Sequence, residues 1–482
     1  MRPAFKLAFK PSITLIDDGD DVLVADHDQR ALRILSAGPA VRGLLEGLMA
    51  GGRTAESLYE AAPRDDPDVA LLPEVLGRVA GKGFMLSTLT AGDRRLATLE
   101  PQSPSFRFAD VAATGRFRLS RFAWMRRLGE ETVLESPLGH ARVILHDGRL
   151  ASLVGLLSQP KSAADLAGDV AGMDEATAAA FLWLLGNAGA AFQSDAEGCL
   201  DEDKNTALRQ WEFHDLLFHS RSRIGRHASP LGNTTRFKGD IPLLPAAKAP
   251  MSDRRIPLFK PDLAALAKSD TSFSRVSEER SSIRGCGERP LAVDQLGEFL
   301  YRSIRIKTLL PPQPERGRPC EVSLRPCCSG GAIHPLEVYL SVHRVEGLEP
   351  GFYHYDPMGH VLEHLSGWTA GVQGLMADAG AAMGVTGQPA DVLLTLAARV
   401  PRTAWKYQTI AYSLILKDLG ALFQQMYLVA SAQGLAPCAI GGGNSDLFAQ
   451  VSGLDYYEET AVGEFTLSSR PSSAPAEPVD AT

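Results

Sequence analysis

Lys406 and Tyr407 stand side by side, upstream of a long apolar stretch and the cluster Gly441-Gly442-Gly443. A lysine that is partly neutral is a base, and a phenol donates or relays a proton, so the pair is a candidate for proton handling. Two further segments accompany it. Arg280-Ser281-Ser282-Ile283-Arg284 offers two guanidiniums and two hydroxyls, donors that suit a phosphate monoester. Ser329-Gly330-Gly331, followed by Ala332-Ile333-His334-Pro335, offers backbone that can approach a flat ring. Each has an ordinary alternative. Arginine–serine clusters are usually solvated surface, glycine pairs are usually turns, and a lone lysine before a helix is usually exposed. Their occurrence together in one half of the chain points to a ring-bearing phosphate ligand with a proton-handling pair beside it.

The chain has 482 residues, enough for two or three domains. Hydrophobic residues make up 45% and charged residues 22%, a balance that is ordinary for globular domains. The formal net charge of −8 disfavours nucleic acid as the main partner. No apolar run approaches the ~20 residues of a membrane span. The first residues lack a signal-peptide pattern, so a cytoplasmic protein without membrane contact is expected. Six cysteines occur, among them Cys320, Cys327 and Cys328 near His334. They contain no Cys-x-x-Cys spacing, so buried free thiols are expected and no metal.

Residues 1–200 carry an internal repeat. Thr54 aligns with Ser162 at an offset of 162 − 54 = 108, and Leu45, Leu48 and Leu58 align with Leu153, Leu156 and Leu166. At the same offset Gly81 meets Gly189 and Phe84 meets Phe192. Each unit reads as a helix, a Thr or Ser N-cap opening a second helix, and a third helix ending near a glycine. Strand-like runs at 21–25 and 141–145 do not follow the common offset. Three short helices with a small sheet make a winged-helix pattern. The third helix of the second unit, from Asp174 to Trp183, has no lysine or arginine for phosphates, so a peptide is the better ligand for this region.

The expected domains are a winged-helix-like unit at 1–95, a second at 96–200, and a helix with an extended Pro-rich connector at 201–262. An α+β domain with a mixed sheet and flanking helices follows at 263–468, then a disordered tail at 469–482. Within the α+β domain, strands are expected at 336–342 and 392–398, a hairpin at 351–365, and a long helix at 412–433 with Gly434 as its C′ residue. Asn444 or Ser445 caps a short helix that ends at Gly453.

From Phe218-His219 to Leu467 the chain resembles the SagB-type branch of the nitroreductase-like flavoproteins, FMN-dependent dehydrogenases that oxidise azoline rings in ribosomal peptides. The segments that carry the likeness occur in order. They are His219-Ser220-Arg221-Ser222, Glu279-Arg280-Ser281-Ser282-Ile283-Arg284, residues 329–339, Gly351-Phe352-Tyr353-His354-Tyr355-Asp356-Pro357, Lys406-Tyr407, Asp418-Leu419-Gly420 and residues 434–442. The resemblance implies a nitroreductase-like FMN-binding fold. Arg280, Ser281, Ser282 and Arg284 would hold the phosphate and ribityl chain, with Arg470 as a further phosphate contact. Ser329, Gly330 and Gly331 would lie near the isoalloxazine, contributed by the second subunit of a homodimer. Gln424 or Gln425 would face the flavin, Gly441 and Gly442 would pass close to the ring, and Lys406 and Tyr407 would match the pair associated with azoline oxidation. The chain departs from the family pattern at Ser281, where a second arginine is common, and at Cys327-Cys328, where serine and proline are usual. The implied partners are an azoline-containing precursor peptide, its leader bound by the N-terminal units, and a cyclodehydratase. The competing readings are a flavoenzyme acting on a small molecule, a non-catalytic scaffold of a modifying complex, and a winged-helix regulator.

Overall fold

The computed structural model describes residues 3–26, 31–63, 65–112, 114–385 and 389–472. Most of the expected tail, from Ser473 on, lies outside the described residues. The chain divides into two units, Met1–Ser229 and Pro230 onward.

The first unit repeats a three-strand meander followed by three helices. The first copy consists of β2 (Ile13–Asp18), β3 (Asp21–Asp26) and β4 (Ala31–Ile34), then α1 (Pro39–Ala50), α2 (Ala55–Glu60) and α3 (Leu72–Gly81). The second consists of β8 (Trp124–Leu128), β9 (Glu131–Glu135) and β10 (Ala141–Leu145), then α4 (Gly148–Leu156), α5 (Ala163–Asp169) and α6 (Glu175–Asn187). Thr54 and Ser162 are both N-caps, accepting from the backbone of Ser57 and Asp165. The helix-3 termini correct the sequence alignment. Gly83 (φ 70) and Gly189 (φ 67) are the equivalent left-handed residues after the third helix, an offset of 189 − 83 = 106 rather than 108. Gly81 and Phe84 therefore do not correspond to Gly189 and Phe192, because the span from the second-helix N-cap to that glycine is two residues longer in the first copy, 83 − 54 = 29 against 189 − 162 = 27. The strands slip for a similar reason. Val24 pairs with Leu32, 32 − 24 = 8 residues on, whereas Leu134 pairs with Val143, 143 − 134 = 9 residues on.

The remaining strands tie the two copies together. β1 (Pro3–Phe9), β5 (Met85–Ala91) and β6 (Arg94–Pro101) join the second meander in a six-stranded antiparallel sheet of order β1-β5-β6-β10-β9-β8. The expected boundary at 95/96 thus falls inside the continuous strand β6. β7 (Phe117–Leu119) pairs with β11 (Ala191–Gln193) beside it.

The second unit is built on a seven-stranded sheet whose central strands are fully buried and mostly apolar, among them Leu336–Val342 and Val392–Arg399. The expectation of a mixed sheet is corrected. All its ladders are antiparallel, because a hairpin joins Gly351–Asp356 to Val361–Gly367 and the helical connections return antiparallel. Helices Val293–Ile304 and Ala411–Ala432 pack on one face and Ala370–Ala382 with Ser445–Ser452 on the other. The long helix ends as expected at Gly434 (φ 67), and Asn444 caps the helix that Gly453 (φ 70) stops.

The connector from Pro230 on belongs to this second unit rather than standing apart. Its strand Arg255–Pro257 pairs with residues 361–363 at the sheet edge. Lys248 donates to Glu459 at 2.6 Å and to the Tyr339 hydroxyl at 2.7 Å, and the backbone of Met251 donates to Glu363. Nearby, His354 bridges the buried carboxylates of Glu337 and Glu363. Burial opposes its charge, but the two carboxylates more than offset that and raise its pKa.

Candidate functional site

The short helix Val400–Lys406, opened by a proline in its first turn, ends at Lys406, and Tyr407 continues in extended conformation. Three contacts fix this corner. Arg402, fully buried, donates to the carbonyls of Ile333 and Glu321 at 2.8 and 3.0 Å and to that of Leu244. The Trp405 indole donates to the Ile241 carbonyl at 2.6 Å. The Lys406 carbonyl accepts from the backbones of Thr234 and Thr235, both at 3.1 Å. Lys406 is only 6% exposed, so it is not the surface lysine that its sequence context alone would favour.

Its ammonium meets the glycine turn. Lys406 Nζ lies 3.4 Å from the Gly331 carbonyl. Gly331 has φ 61, and a Cβ there would lie 2.2 Å from the Tyr407 hydroxyl and 2.6 Å from Lys406 Nζ. The left-handed backbone favours glycine there, and a Cβ would displace the Lys406 and Tyr407 tips. The turn is anchored from the long helix. Asp418 accepts from the Ser329 hydroxyl at 2.6 Å and from the Gly330 backbone at 2.9 Å, and Ser329 in turn accepts from the His334 backbone. Burial raises the Asp418 pKa against those bonds. Burial also raises the Tyr407 phenol, with Cys320 and Asp418 adding to the effect, so the hydroxyl is a proton donor at neutral pH. His334 is depressed to about 3 by burial and by Arg325 and Arg402, and stays neutral. Cys327 is pushed up to about 11 by burial and is a thiol, while Cys328 is exposed. Among the described residues no His, Cys, Asp or Glu cluster could hold a metal.

The arginine–serine segment forms a second cluster. Helix Phe273–Glu279 delivers the chain to Arg280, and the Ile283 backbone donates to the Pro437 carbonyl at 2.8 Å. Arg280 stacks its guanidinium over Tyr427, 5.1 Å from the ring centre, and Ser282 shares a 2.7 Å hydrogen bond with the Tyr427 hydroxyl. That hydroxyl also accepts from the Ala439 backbone. Neither Arg280 nor Arg284 has a carboxylate partner among the described residues. Arg470 is exposed, and its backbone abuts Gly287, three residues past Arg284.

From this cluster the strand Ala436–Ile440 leads into Gly441 and Gly442. A Cβ at either glycine would meet nothing within 4 Å. They border a groove of about 340 Å³ lined by Tyr412, Leu419 and Phe423 of the long helix, Gly443, and Gly463 and Glu464 of the last strand. Glu464 is 8% exposed and has no hydrogen-bond or ion-pair partner among the described residues. Burial raises its pKa to about 7.

The structure thus brings Ser329, Gly330 and Gly331 to Lys406 and Tyr407, and sets Arg280, Ser282 and Arg284 beside the strand that ends at Ile440. It shows no contact between the two clusters within one chain. Ser281 is half-buried, and its hydroxyl has no partner among the described residues. Gln425 is drawn away, donating to the Arg302 carbonyl at 3.3 Å, whereas the exposed Gln424 has no side-chain partner among the described residues. Tyr427 and Glu464 were missed as site residues. The visible signal for Glu464 is a carboxylate in the middle of a strand, Glu459–Ser468, between the apolar residues Val462 and Phe465.

These features fit a flavin mononucleotide. The guanidiniums at 280 and 284, without carboxylate partners among the described residues, and the serine hydroxyls between them are an anion cradle, the bare glycines at 441–442 admit a planar ring, and Gly331 has its Cβ space taken by the proton-handling pair.

Residues 117–228 match the family model described as cyanobactin oxidase ThcOx, and residues 278–466 match that of the nitroreductase family. The chain is 26% identical over 222 residues to the microcin B17-processing protein McbC of Escherichia coli, covering 45% of this chain and 76% of that one. It is 27% identical over 163 residues to a nitroreductase-family protein of Methanocaldococcus jannaschii, covering 34% and 75%. Among solved structures, the E. coli microcin synthetase McbBCD complex with truncated pro-MccB17 bound overlays with a TM-score of 0.32 at 19% identity, covering 52% of this chain and 90% of that one. No helix among the described residues is long and apolar enough to cross a membrane.

Proposed function

Because the chain is a SagB-type member of the nitroreductase-like oxidoreductases, we propose that it is an FMN-dependent dehydrogenase that converts thiazoline or oxazoline rings of a ribosomally made peptide into thiazoles or oxazoles. The observation that carries this reading is the Lys406–Tyr407–Gly331 junction. A buried lysine and a half-buried phenol lie against a glycine turn, where a substrate ring carbon can lose its proton. Aromatisation removes two electrons and two protons, and FMN, when bound, supplies the hydride acceptor. The chain's own residues do the rest. Lys406 takes the ring proton, Tyr407 orients or relays it, and the Asp418–Ser329 bond keeps the turn in place. Arg280, Ser282 and Arg284 hold the phosphate, aided by Ser281 and Arg470, and Gly441 and Gly442 let the ring lie against backbone. Gln424 is available at the same helix. The two clusters serve one flavin in a homodimer, with residues 329–331 contributed across the subunit boundary.

Likeness to the microcin-processing protein supports a precursor peptide as substrate and a cyclodehydratase as partner. The N-terminal unit, winged-helix-like in its helices, receives the leader. The test is to purify the protein and supply an azoline-bearing peptide. A yellow dimer that removes two hydrogens per ring supports the reading. A protein that neither retains FMN nor changes the peptide overturns it.

A further inference from the structure

The chain turns a sharp corner at the proton-handling pair. The helix Val400–Lys406 ends, Tyr407 and Gln408 run extended, and the long helix begins at Ala411. Between them Thr409 sits at φ 68. Left-handed backbone of this kind is a genuine outlier for a β-branched residue. Among the described residues six non-glycine positions have positive φ, and four of them border this corner. Thr409 lies two residues past Tyr407, and Ala332 and His334 follow Gly331 in the glycine turn. Thr235, at φ 47, meets the Lys406 carbonyl from the connector. Such strain persists where the surrounding structure over-determines a functional geometry.

Here the constraint comes from the start of the connector. Gly232 and Asn233 pair antiparallel with Gln408 and Tyr407. Beyond one end of that two-residue ladder, the backbones of Thr234 and Thr235 both donate to the Lys406 carbonyl at 3.1 Å. Beyond the other end, the Thr409 hydroxyl donates to the Pro230 carbonyl at 2.6 Å. Further along, Phe237 and Leu243 pack against a cluster of Cys320, Val322, Ile333 and Trp405 that Tyr407 also joins. The glycine turn is held separately, by Asp418 of the long helix.

The tolerance at the junction is small. Lys406 Nζ and the Tyr407 hydroxyl both lie within 2.6 Å of where a Gly331 Cβ would stand. Neighbouring side chains on extended backbone point to opposite faces, so convergence of these two on one point must be imposed. Relaxation of Thr409 to right-handed backbone would re-aim the link and part the two tips.

We infer that Pro230–Thr235 is a positioning strap of the reaction centre, and that Thr235 and Thr409 are the positioning residues that keep Lys406 and Tyr407 convergent on Gly331. The inference rests on the proton-handling role proposed above for that pair. The strained backbone holds only while both ends of the strap are bonded, so loss of either bond lets the pair splay. The strap is also the first stretch of the second unit, which begins at Pro230.

The test reads position and reaction separately, on the full-length protein. Position is read by acetic anhydride labelling of Lys406, followed by peptide mass spectrometry, and needs no turnover. Lys406 is only 6% exposed and should label slowly. Thr409→Val keeps the side-chain shape and removes the hydroxyl. It should speed labelling of Lys406 about fivefold, the effect of one lost hydrogen bond on a local opening, with exposed lysines unchanged. Thr409→Ser keeps a hydroxyl and should label slowly. Thr235→Pro loses the N–H and cannot take φ 47, so it should exceed Thr409→Val, whereas Thr235→Gly keeps both and should label slowly. Reaction is read with an azoline-bearing peptide. Thr409→Val should lower kcat about 10–100-fold, as misplacement of a reacting group does, with KM and FMN retention unchanged. Thr409→Ser should recover most of that loss. Unchanged labelling in both Thr409→Val and Thr235→Pro overturns the inference. So does an undiminished kcat despite faster labelling, or a kcat loss that only tracks lost folding or lost FMN. If the labelling pattern holds but the unaltered protein oxidises no azoline, the strap stands and the proposed reaction fails instead.

Discussion

The two clusters of the second unit are built on opposite plans. Lys406, Tyr407 and Gly331 are packed to contact, with the place of a Gly331 Cβ taken by the Tyr407 hydroxyl and Lys406 Nζ. The segment 280–284 and the groove beyond it are half-open, with unpaired guanidiniums, bare glycines and an unpartnered buried carboxyl. A preorganised corner gains by holding its groups in one geometry before substrate arrives. An open cradle leaves polar groups unsatisfied until a ligand supplies their partners. The contrast separates residues whose loss should strike turnover from those whose loss should strike retention of the cofactor.

The largest expected effect sharpens the first half of that contrast. Lys406→Ala should lower kcat ~10²–10⁴-fold, the usual range for one acid–base group, while the protein stays folded and yellow. Tyr407→Phe keeps the ring and removes only the hydroxyl, so its smaller loss in kcat isolates the proton role. Stopped-flow reduction of the flavin by dithionite should be untouched in both. Near-normal turnover of Lys406→Ala would break the comparison.

Next comes Glu464, on the open side. Its pKa of about 7 lies above the ordinary 4.5, so its burial favours the protonated form. Its contribution to stability is therefore intact below pH 4.5 and is lost as pH rises through 7. Glu464→Gln should leave stability unchanged at pH 4 and raise it at pH 8 by up to about 3 kcal/mol, measured by denaturant titration. Equal gains at both pH values would show that the carboxyl does not carry a shifted proton.

The smaller effects lie in the phosphate cradle. Arg280→Ala should raise the Kd for FMN ~10–100-fold, as loss of a charged hydrogen bond does, with kcat of the reloaded protein preserved. Ser281→Ala should cost less than ~10-fold, since its hydroxyl is neutral. Fluorescence titration of the apoprotein gives both, and a kcat loss in either variant would merge the two clusters into one.

Much of this was readable in the chain. The strand at 336–342, the hairpin and the long helix follow from two-residue and 3.6-residue periodicities with glycine stops, and the structure has them within a residue or two. The pairing of Gly331 with Lys406 was not readable, because it depends on a left-handed turn meeting a helix end 75 residues away. Glu464 was hidden because its meaning is the absence of a partner, which only packing reveals. The antiparallel sheet and the 106-residue offset escaped because connection lengths, which carry no hydrophobic period, decide both. The place of β6 escaped for a related reason. An apolar strand does not say which edge it will join.

That strand has a consequence for how the molecule can be cut and reassembled. β6 follows the first copy in the chain but is laid into the sheet of the second, and β1 and β5 continue that sheet. The halves are therefore not interchangeable cassettes. A gene truncated at residue 95 would discard β1 and β5, taking Phe5 away from Trp183 and leaving the β6 edge without its paired strand. Any graft of the peptide-binding part onto another enzyme must carry the whole of residues 1–229, and a swap between relatives should break the chain near Pro230, where the compact units divide.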